Sequence, residues 1–487
     1  MNSKLSTSFT SEPDARLDDR NHEETAPLTG LSEVSRTMSR DSSNRTHSGE
    51  EHTRRVYWSF WLLGAVILLS WNVLLCTLPL LTALLPRESV LRGSLPSYIT
   101  TFFTLGNFGF LFLAQRSVGK ISQNSRLQAS LWLLAGATTL TAFPLLPAVF
   151  PILPSTLYFL ALICLTLLFS YGTSYLQSAV LAVAALRGPK EMLAVMSGQG
   201  GIAVLISAVQ VYIAIMGVYT SDSKQDPKES PDGSPTTAEL AAGMGLWMAA
   251  VVPIAICIMT TRRLFPRESA TGEERPKLSF EVARDEGEFY DTERRFSAEE
   301  DEDSRRGSTN GFNRSWAVLK RNKVINFSVA YVFIVTLPPP KLLDPAIFLP
   351  LHFLTFNISD YLGRTYLPTI PLLFLQDAKH VMFASLARTL FIPVFMLCNT
   401  ALRSSGETTG SPLINSDMLY FMIVFLFGAS NGWISSLSMI IASSPSLNPA
   451  IEHDEKEIAG SLAGFCLTGG LVVGSLASFV VGWFLKV

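Results

Sequence analysis

The sequence Phe356-Asn-Ile-Ser-Asp-Tyr-Leu-Gly-Arg364 lies inside a long apolar segment at about residues 346–367. Two ionisable side chains of this segment, Asp360 and Arg364, are four residues apart. On a helix they would lie one above the other on one face, and Asn357 would join that face. A charged side chain at the bilayer centre costs about 3 kcal/mol or more on insertion scales. We therefore interpret this face as the wall of a polar cavity that is turned away from lipid.

The composition indicates a polytopic membrane protein. Of 487 residues, 48% are hydrophobic and only 16% are charged, whereas soluble proteins are nearer 25% charged. The net charge of -2 gives no sign of a nucleic-acid partner. The five cysteines lie in apolar segments without paired spacing, which favours reduced, buried thiols over disulfides. No cofactor and no bound metal is predicted.

About eleven apolar segments follow one another, each long enough to cross a hydrocarbon core that needs ~20 residues. Their predicted spans are 57–85, 97–116, 127–148, 155–186, 191–219, 239–261, 322–341, 346–367, 379–399, 417–442 and 457–485. A charged block separates the first six segments from the last five. Such a split is typical of transporters that hold their substrate between two helical bundles.

The pattern predicts four regions. Residues 1–55 are rich in Ser, Thr and charged residues, and we expect a disordered cytoplasmic tail. An N-terminal six-helix bundle is predicted at 56–261 and a C-terminal five-helix bundle at 322–487. The block at 262–321 alternates basic and acidic runs without a useful helical stripe, so we interpret it as a charged cytoplasmic linker.

Basic residues in the short loops predict the orientation in the membrane. The Lys and Arg residues that fall on one side are Arg54, Arg55, Arg116, Lys120, Arg126, Arg187, Lys190, Arg262, Arg263, Arg267, Lys320, Arg321 and Lys323. That side is cytoplasmic if the N-terminus is cytoplasmic, and an odd number of helices then places the C-terminus in a lumen or outside the cell.

Further polar or aromatic residues lie within the predicted segments. They are Trp71, Asn72, Tyr175, Gln177, Gln199, His352, Arg388 and Asn431. A cavity lined by amides, hydroxyls, an ion pair and aromatic rings suits a neutral, hydrogen-bonding ligand with a flat ring.

Each of these residues also has a structural interpretation. The pair Asp360–Arg364 could equally tie helices together, and Asn72 and Asn431 fit interhelical hydrogen bonding better than ligand contact. Arg388 suits neutralisation of a carboxylate. His352 fits a packed, neutral side chain better than a proton relay.

The residues also match a family. The chain resembles the equilibrative nucleoside transporters through the motif Phe356–Arg364 in the eighth segment. Similar residues in the family's order are Trp71-Asn72, Gly172, Leu176-Gln177, Gly198-Gln199-Gly200, Arg388, Phe391-Ile392-Pro393 and Ser430-Asn431-Gly432. The resemblance extends from about Tyr57 onward and leaves out the tail and the central block.

The resemblance implies an all-α, eleven-helix membrane fold with a major-facilitator-like arrangement of six plus five helices. It implies movement of nucleosides, with nucleobases as an additional option, by alternating access that is facilitative or weakly proton-linked. Trp71 and Gln177 would then contact the nucleobase, Asp360 and Arg364 the ribose, and Asn72 would support the gate.

The first luminal loop is short and has no glycosylation sequon. This favours a vacuolar or lysosomal member of the fungal type, with the plasma membrane as the alternative.

Two other classes of protein fit the sequence less well. A proton-coupled transporter of another small polar solute on a similar two-bundle fold is the runner-up, and it requires an intramembrane acid that cycles its proton. Asp360 is a candidate for that acid, but the adjacent arginine favours its ionised form. An enzyme is not expected, because no metal-ligand spacing, nucleophile elbow or second intramembrane Asp accompanies Asp360.

Overall fold

The computed structural model describes residues 29–86, 89–118, 121–142, 154–223, 235, 237–264, 310–332, 345–398 and 416–485. Within these ranges the backbone forms helices joined by short turns and contains no strand. Most of the predicted linker and the first part of the predicted tail lie outside the described residues. The chain from Arg55 onward forms one compact unit.

Six helices correspond to the first six predicted segments. They are α1 (Thr29–Ala83), α2 (Val90–Arg116), α3 (Gln123–Ala142), α4 (Ser155–Arg187), α5 (Pro189–Ser223) and α6 (Thr237–Leu264). The start of α3 at Gln123 corrects the predicted start at 127, so Arg126 belongs to the helix and not to the loop before it.

The described residues after α6 form seven further helices. They are α7 (Asn310–Arg321), α8 (Lys323–Val332), α9 (Pro345–Thr365), α10 (Ala378–Ala387), α11 (Phe391–Leu397), α12 (Asp417–Ser443) and α13 (Lys456–Leu485). Short 3-10 turns occur at Leu367–Thr369, Pro371–Leu373, Arg388–Leu390 and His453–Glu455. The eighth predicted segment is α9, and the described part of the seventh is α8.

Seven of the described helices are long and apolar enough to cross a membrane, by length and composition. They are α1, α2, α4, α5, α6, α12 and α13. The chain is therefore an integral, multi-pass, helical membrane protein. The total of eleven crossings and the division into six plus five are compatible with this result and stay predictions.

The ninth predicted segment, 379–399, is not one continuous helix. It consists of α10, a 3-10 turn at Arg388–Leu390, and α11. Pro393 lies near the start of α11. Proline has no backbone N–H, and its ring clashes with the carbonyl group four residues earlier. The helix accommodates the proline by tightening over one turn just before it.

Two helices extend into regions where none was predicted. The first helix begins at Thr29, within the predicted tail. Proline is absent between Pro27 and Pro79, so nothing in the covalent chain stops the helical hydrogen bonds. The last twelve residues of the predicted linker form α7. Val318 is fully buried there, which supplies the packed face that the sequence pattern did not reveal.

Glycine allows α9 and α12 to pack backbone against backbone. A Cβ atom on Gly432 of α12 would lie 1.9 Å from the carbonyl oxygen of Asp360, and one on Gly363 of α9 would lie 2.2 Å from the carbonyl oxygen of Ala429. Both distances are too short for any side chain, so only glycine permits this approach. This contact determines which side chains of α12 reach Asp360.

Candidate functional site

The two charged residues of α9 form a buried ion pair. Nε of Arg364 donates a hydrogen bond to Oδ2 of Asp360 at 2.7 Å. Their side chains are 8% and 6% exposed. The i, i+4 spacing on one helix brings the two groups together, as the sequence predicted. Such a pair is costly to break, because removal of one partner leaves a buried charge without compensation.

Asn431 of α12 completes the coordination of the carboxylate. Its Nδ2 donates to Oδ1 of Asp360 at 2.7 Å, and the side chain is 4% exposed. Each oxygen of Asp360 therefore accepts a hydrogen bond, one from its own helix and one from α12. Gly432, the next residue, provides the close approach of the two helices.

Arg388 lies in the 3-10 turn that interrupts the ninth segment and is 3% exposed. Its Cζ atom is 4.8 Å from the centre of the Phe427 ring, a cation–π contact with α12. Asp360 also acts on it electrostatically. Arg388 is thus a second buried guanidinium group within electrostatic reach of Asp360, and its neutralising role stays a prediction.

Helix α5 approaches the same site from the other side. A Cβ atom on Gly200 would lie 3.2 Å from Cδ of Arg364 and 3.2 Å from Cα of Tyr361. The neighbouring Gln199 is buried at 6% exposure. Nδ2 of Asn357 donates to Oγ of Ser207, a second link between α9 and α5. The ion pair therefore lies between α9, α12 and α5.

One donor of this site has no hydrogen-bond partner. Nη1 of Arg364 is buried and unpartnered within the part of the chain that the structure describes. A buried donor without an acceptor destabilises the fold by about 1–3 kcal/mol, and by more when the donor is charged. Such a group therefore calls for an explanation. A ligand oxygen at this position would satisfy it.

Trp71 and Asn72 of α1 make contacts outside the ion-pair site. Trp71 stacks on Phe103 of α2, with ring centres 3.9 Å apart and planes at 16°. Asn72 donates from Nδ2 to the carbonyl oxygen of Leu68 in its own helix at 2.8 Å. Both residues are half-buried. Asn72 thus uses its amide within α1 in this conformation.

Gln177 of α4 is buried against α13. Its Nε2 donates to the carbonyl oxygen of Gly464 at 3.3 Å and to Oγ1 of Thr468 at 3.4 Å. Both distances lie beyond the usual range for N–H···O bonds. Gln177 is therefore buried but held weakly.

Tyr175 belongs to a second polar centre that the sequence did not reveal. Its ring faces Tyr171 at 4.6 Å, and the guanidinium of Arg126 lies 5.8 Å from its centre. Arg126 is 3% exposed, although the sequence suggested a loop residue.

Neutral acceptors surround the Arg126 guanidinium. Its Nη2 donates to the carbonyl oxygen of Ala114 at 3.1 Å and to Oγ of Ser178 at 2.7 Å. Its Nη1 donates to Oε1 of Gln123 at 3.1 Å. These contacts connect α3 with α2 and α4.

The polar residues around Arg126 also form hydrogen bonds with α13. The hydroxyl groups of Ser178 and Ser461 are 2.6 Å apart, and Nε2 of Gln115 donates to Oγ of Ser461 at 2.7 Å. Nε2 of Gln123 donates to Glu457. We call Gln115, Gln123, Arg126, Ser178, Glu457 and Ser461 the four-helix network. It links these four helices at the end where α2 and α4 end and α3 and α13 begin.

His352 of α9 lies in an aromatic cluster and not in either polar centre. Its Nδ1 is 2.9 Å from the hydroxyl oxygen of Tyr420, and the two rings stack at 5.8 Å. The geometry agrees with a packed histidine that has a hydrogen-bonding partner. The described residues contain no group of three His, Cys, Asp or Glu that could hold a metal ion.

Comparisons with known proteins identify the family. The profile of a family described as nucleoside transporter matches residues 162–483, more than half of the chain. Human equilibrative nucleoside transporter 1 is 26% identical, with 89% of this chain and 98% of the relative covered. The nucleoside transporter FUN26 of Saccharomyces cerevisiae is 24% identical, with 87% and 83% covered.

Solved structures show the fold. The fucose:proton symporter of E. coli superposes with a TM-score of 0.50 at 15% sequence identity, over 87% of this chain and 90% of the symporter. At this identity the likeness concerns the fold alone, which is that of major-facilitator transporters. The matched profile leads to one conclusion: the chain belongs to the nucleoside transporter family.

Proposed function

We propose that this protein moves nucleosides across a membrane by alternating access. The observation that carries the proposal is the buried Asp360–Arg364 pair with its unpartnered Nη1 donor. This buried donor lies between α9, α12 and α5, where a ligand oxygen could accept a hydrogen bond from it. The family membership and the names of the relatives support nucleosides as the substrate class.

The ribose is the part of a nucleoside that fits this pair. Its vicinal hydroxyl groups can donate to a carboxylate and accept from a guanidinium. Asp360 would accept from a hydroxyl group and Arg364 would donate to one from Nη1. Asn431 and Arg388 would hold the carboxylate ionised and in place, and Asn357 would keep α9 close to α5.

The base would be bound by Trp71 and Gln177. Trp71 already presents a flat ring stacked on Phe103, and a purine or pyrimidine could extend this stack. Gln177 makes two long bonds to α13, so it could exchange them for the hydrogen-bonding edge of a base at small cost. We assign Asn72, Tyr175, Gln199 and His352 supporting or gating roles.

The basic loops support a cytoplasmic N-terminus and a luminal or extracellular C-terminus. We propose the vacuolar or lysosomal membrane as the location, because the first luminal loop is short and has no glycosylation sequon. A fluorescent fusion of the full chain tests this: a signal that coincides with a vacuolar membrane dye agrees, and a signal at the cell surface contradicts it. We also propose residues 56–261 and 322–487 as the two moving bundles.

The function is tested by uptake of radiolabelled uridine and adenosine into liposomes that contain the purified protein. Measurements at pH 5.5 and 7.4, with and without a proton gradient, separate the mechanisms. Saturable uptake that equilibrates and ignores the gradient supports a facilitator. Accumulation driven by the gradient keeps the substrate and adds proton coupling.

Two controls make the assay decisive. Liposomes with the Asp360→Asn variant should show uptake near that of empty liposomes, because the neutral amide no longer compensates the guanidinium groups of Arg364 and Arg388. Folded wild-type protein that takes up neither nucleoside would contradict the proposed substrate and favour a transporter of another small polar solute.

A further inference from the structure

Helix α7 packs against α2 and α13 at the end of the molecule where the four-helix network lies. Val318 is fully buried in a small apolar cluster. The other buried members of this cluster are Val118, Ile451, Ile458, Ala459 and Leu462. Val118 directly follows α2, whereas Ile458, Ala459 and Leu462 belong to α13. Helix α7 contacts both α2 and α13, and the cluster around Val318 combines residues from both sides of their junction.

Ion pairs fix α7 to the turn that precedes α13. Arg314 pairs with Asp454, and Arg321 pairs with Glu455 and, at 3.3 Å, with Glu452. The hydrogen bond with Glu455 raises the pKa of Arg321 above its ordinary value, so the guanidinium stays charged. All three acidic partners lie within four consecutive residues.

Glu455, one of the acidic partners of α7, is buried. Glu455 is 4% exposed, and its second oxygen accepts a hydrogen bond from the backbone N–H of Glu452 at 3.1 Å. An uncompensated carboxylate at this depth would be costly. Glu455 therefore depends on Arg321, and the turn that carries it leads directly into α13.

The apolar cluster and the four-helix network lie side by side. Val118, just beyond the end of α2, follows Gln115 by three residues, and Ile458 precedes Ser461 by three residues on α13. Below them, the ring of Phe465 stacks on Phe108 of α2 at 4.9 Å. Separation of α2 from α13 at this end must break the network and also divide the apolar cluster that contains Val318 and Val118.

We propose that α7 is a strut that stabilises the closed state of this end of the transporter. The inference rests on the proposed function in one respect, since alternating access requires this end to open. The ion pairs hold α7 on the α13 side, and Val318 extends the closed contact to α2. Release of the ion pairs would free α7 and increase the fraction of molecules in which this end is open.

The test measures how fast a cysteine at position 461 reacts with a water-soluble maleimide. The full-length protein is used, with its five native cysteines replaced and Ser461→Cys introduced. Ser461 is fully buried between α2, α4 and α13, so labelling requires opening. We expect Arg321→Glu to increase the labelling rate about fivefold or more. The double variant Arg321→Glu, Glu455→Arg should return the rate towards that of the parent.

Lys320 supplies a matched control. It lies next to Arg321 on the same helix, but its ammonium group lies over the exposed ring of Trp316 at 5.6 Å. Lys320→Glu makes the same change of charge and should leave the labelling rate unchanged. An increase as large as that of Arg321→Glu would show a non-specific charge effect and overturn the proposal.

Two further outcomes keep the inference testable. Val318→Ala weakens the apolar cluster without a change of charge, and it should also speed labelling. It replaces Arg321→Glu as the test variant if Arg321→Glu does not give folded protein. A parent-like rate in folded Arg321→Glu or Val318→Ala protein would refute the strut. Because labelling needs no substrate, this result is independent of nucleoside uptake, and a failure of the uptake assay would leave it valid.

Discussion

Two of the buried arginines, Arg364 and Arg126, draw their hydrogen-bond partners from different numbers of helices. Arg364 and its carboxylate lie on the same helix, four residues apart. Arg126 lies on α3 and draws its acceptors from α2 and α4, with a serine relay to α13. The first arrangement is contained almost within one helix, and the second is spread over four.

This difference suggests different roles. An ion pair on one helix keeps its geometry when that helix moves, which suits a ligand site that must persist through the transport cycle. A network across four helices exists only while those helices are together, which suits a closure that must form and break. The neutral acceptors around Arg126 are consistent with a contact that can be released.

The largest expected effect is that of Arg364→Ala. The change removes the ion pair of the buried Asp360 carboxylate and leaves its hydrogen bond from Asn431, and breaking a buried pair costs about 3–5 kcal/mol. We expect nucleoside uptake to fall to background in protein that still reaches its membrane. Arg263→Ala, at the exposed end of α6, is the control and should transport normally. Uptake at wild-type level in Arg364→Ala would show that the Asp360–Arg364 pair is not the ligand site.

Gly432→Ala tests whether the site depends on the contact between α9 and α12. The added Cβ would lie 1.9 Å from a backbone oxygen, and overpacking costs about 1–3 kcal/mol. We expect a lower melting temperature and an uptake rate reduced about tenfold or more. Gly109→Ala is matched to it, because no atom lies within 4 Å of its added Cβ. Equal melting temperatures for both variants would contradict the packing argument.

Arg126→Gln tests the other side of the comparison. It removes the charge and the fork that joins Ala114 and Ser178, while substrate-binding groups stay intact. We expect a reduction of about tenfold in the maximal uptake rate with a smaller change in substrate affinity, measured by concentration-dependent uptake. A variant that loses binding and keeps its maximal rate would place Arg126 at the ligand site instead.

Gln177→Ala is expected to have the smallest effect. It removes two long hydrogen bonds to α13 and the proposed contact with the base. Competition of uridine uptake by other nucleosides should show an altered preference among bases, by a few fold, with little change among sugars. An unchanged profile would restrict Gln177 to the contact between α4 and α13.

The site in α9 could be predicted because its signal is local. Charged residues are so costly in an apolar segment that Asp360 and Arg364 indicate a polar wall by themselves, and their spacing predicts the ion pair. The hydrogen bond from Asn431 to Asp360 could not be predicted from the sequence. It depends on the backbone approach at Gly432, a tertiary feature that no local pattern encodes.

The four-helix network escaped prediction for two physical reasons. The position of Arg126 depends on where α3 begins, and a shift of four residues moves the guanidinium from a loop into the interior. Ser178 and Ser461 give no signal of their own, because serine in an apolar helix commonly bonds to its own backbone. Helix α7 was missed because its acidic partners lie more than 130 residues away in the sequence.

The backbone contact at Gly432 has a consequence for experiments on this protein. Helices α9 and α12 meet carbonyl against Cα, so neither can slide along the other without a steric clash. The two helices should therefore travel as one rigid body, and any displacement of Asp360 is shared by the outer face of α12. A spin label on that face, for example at the exposed Met422, would report the movement of the binding site without a probe inside the cavity.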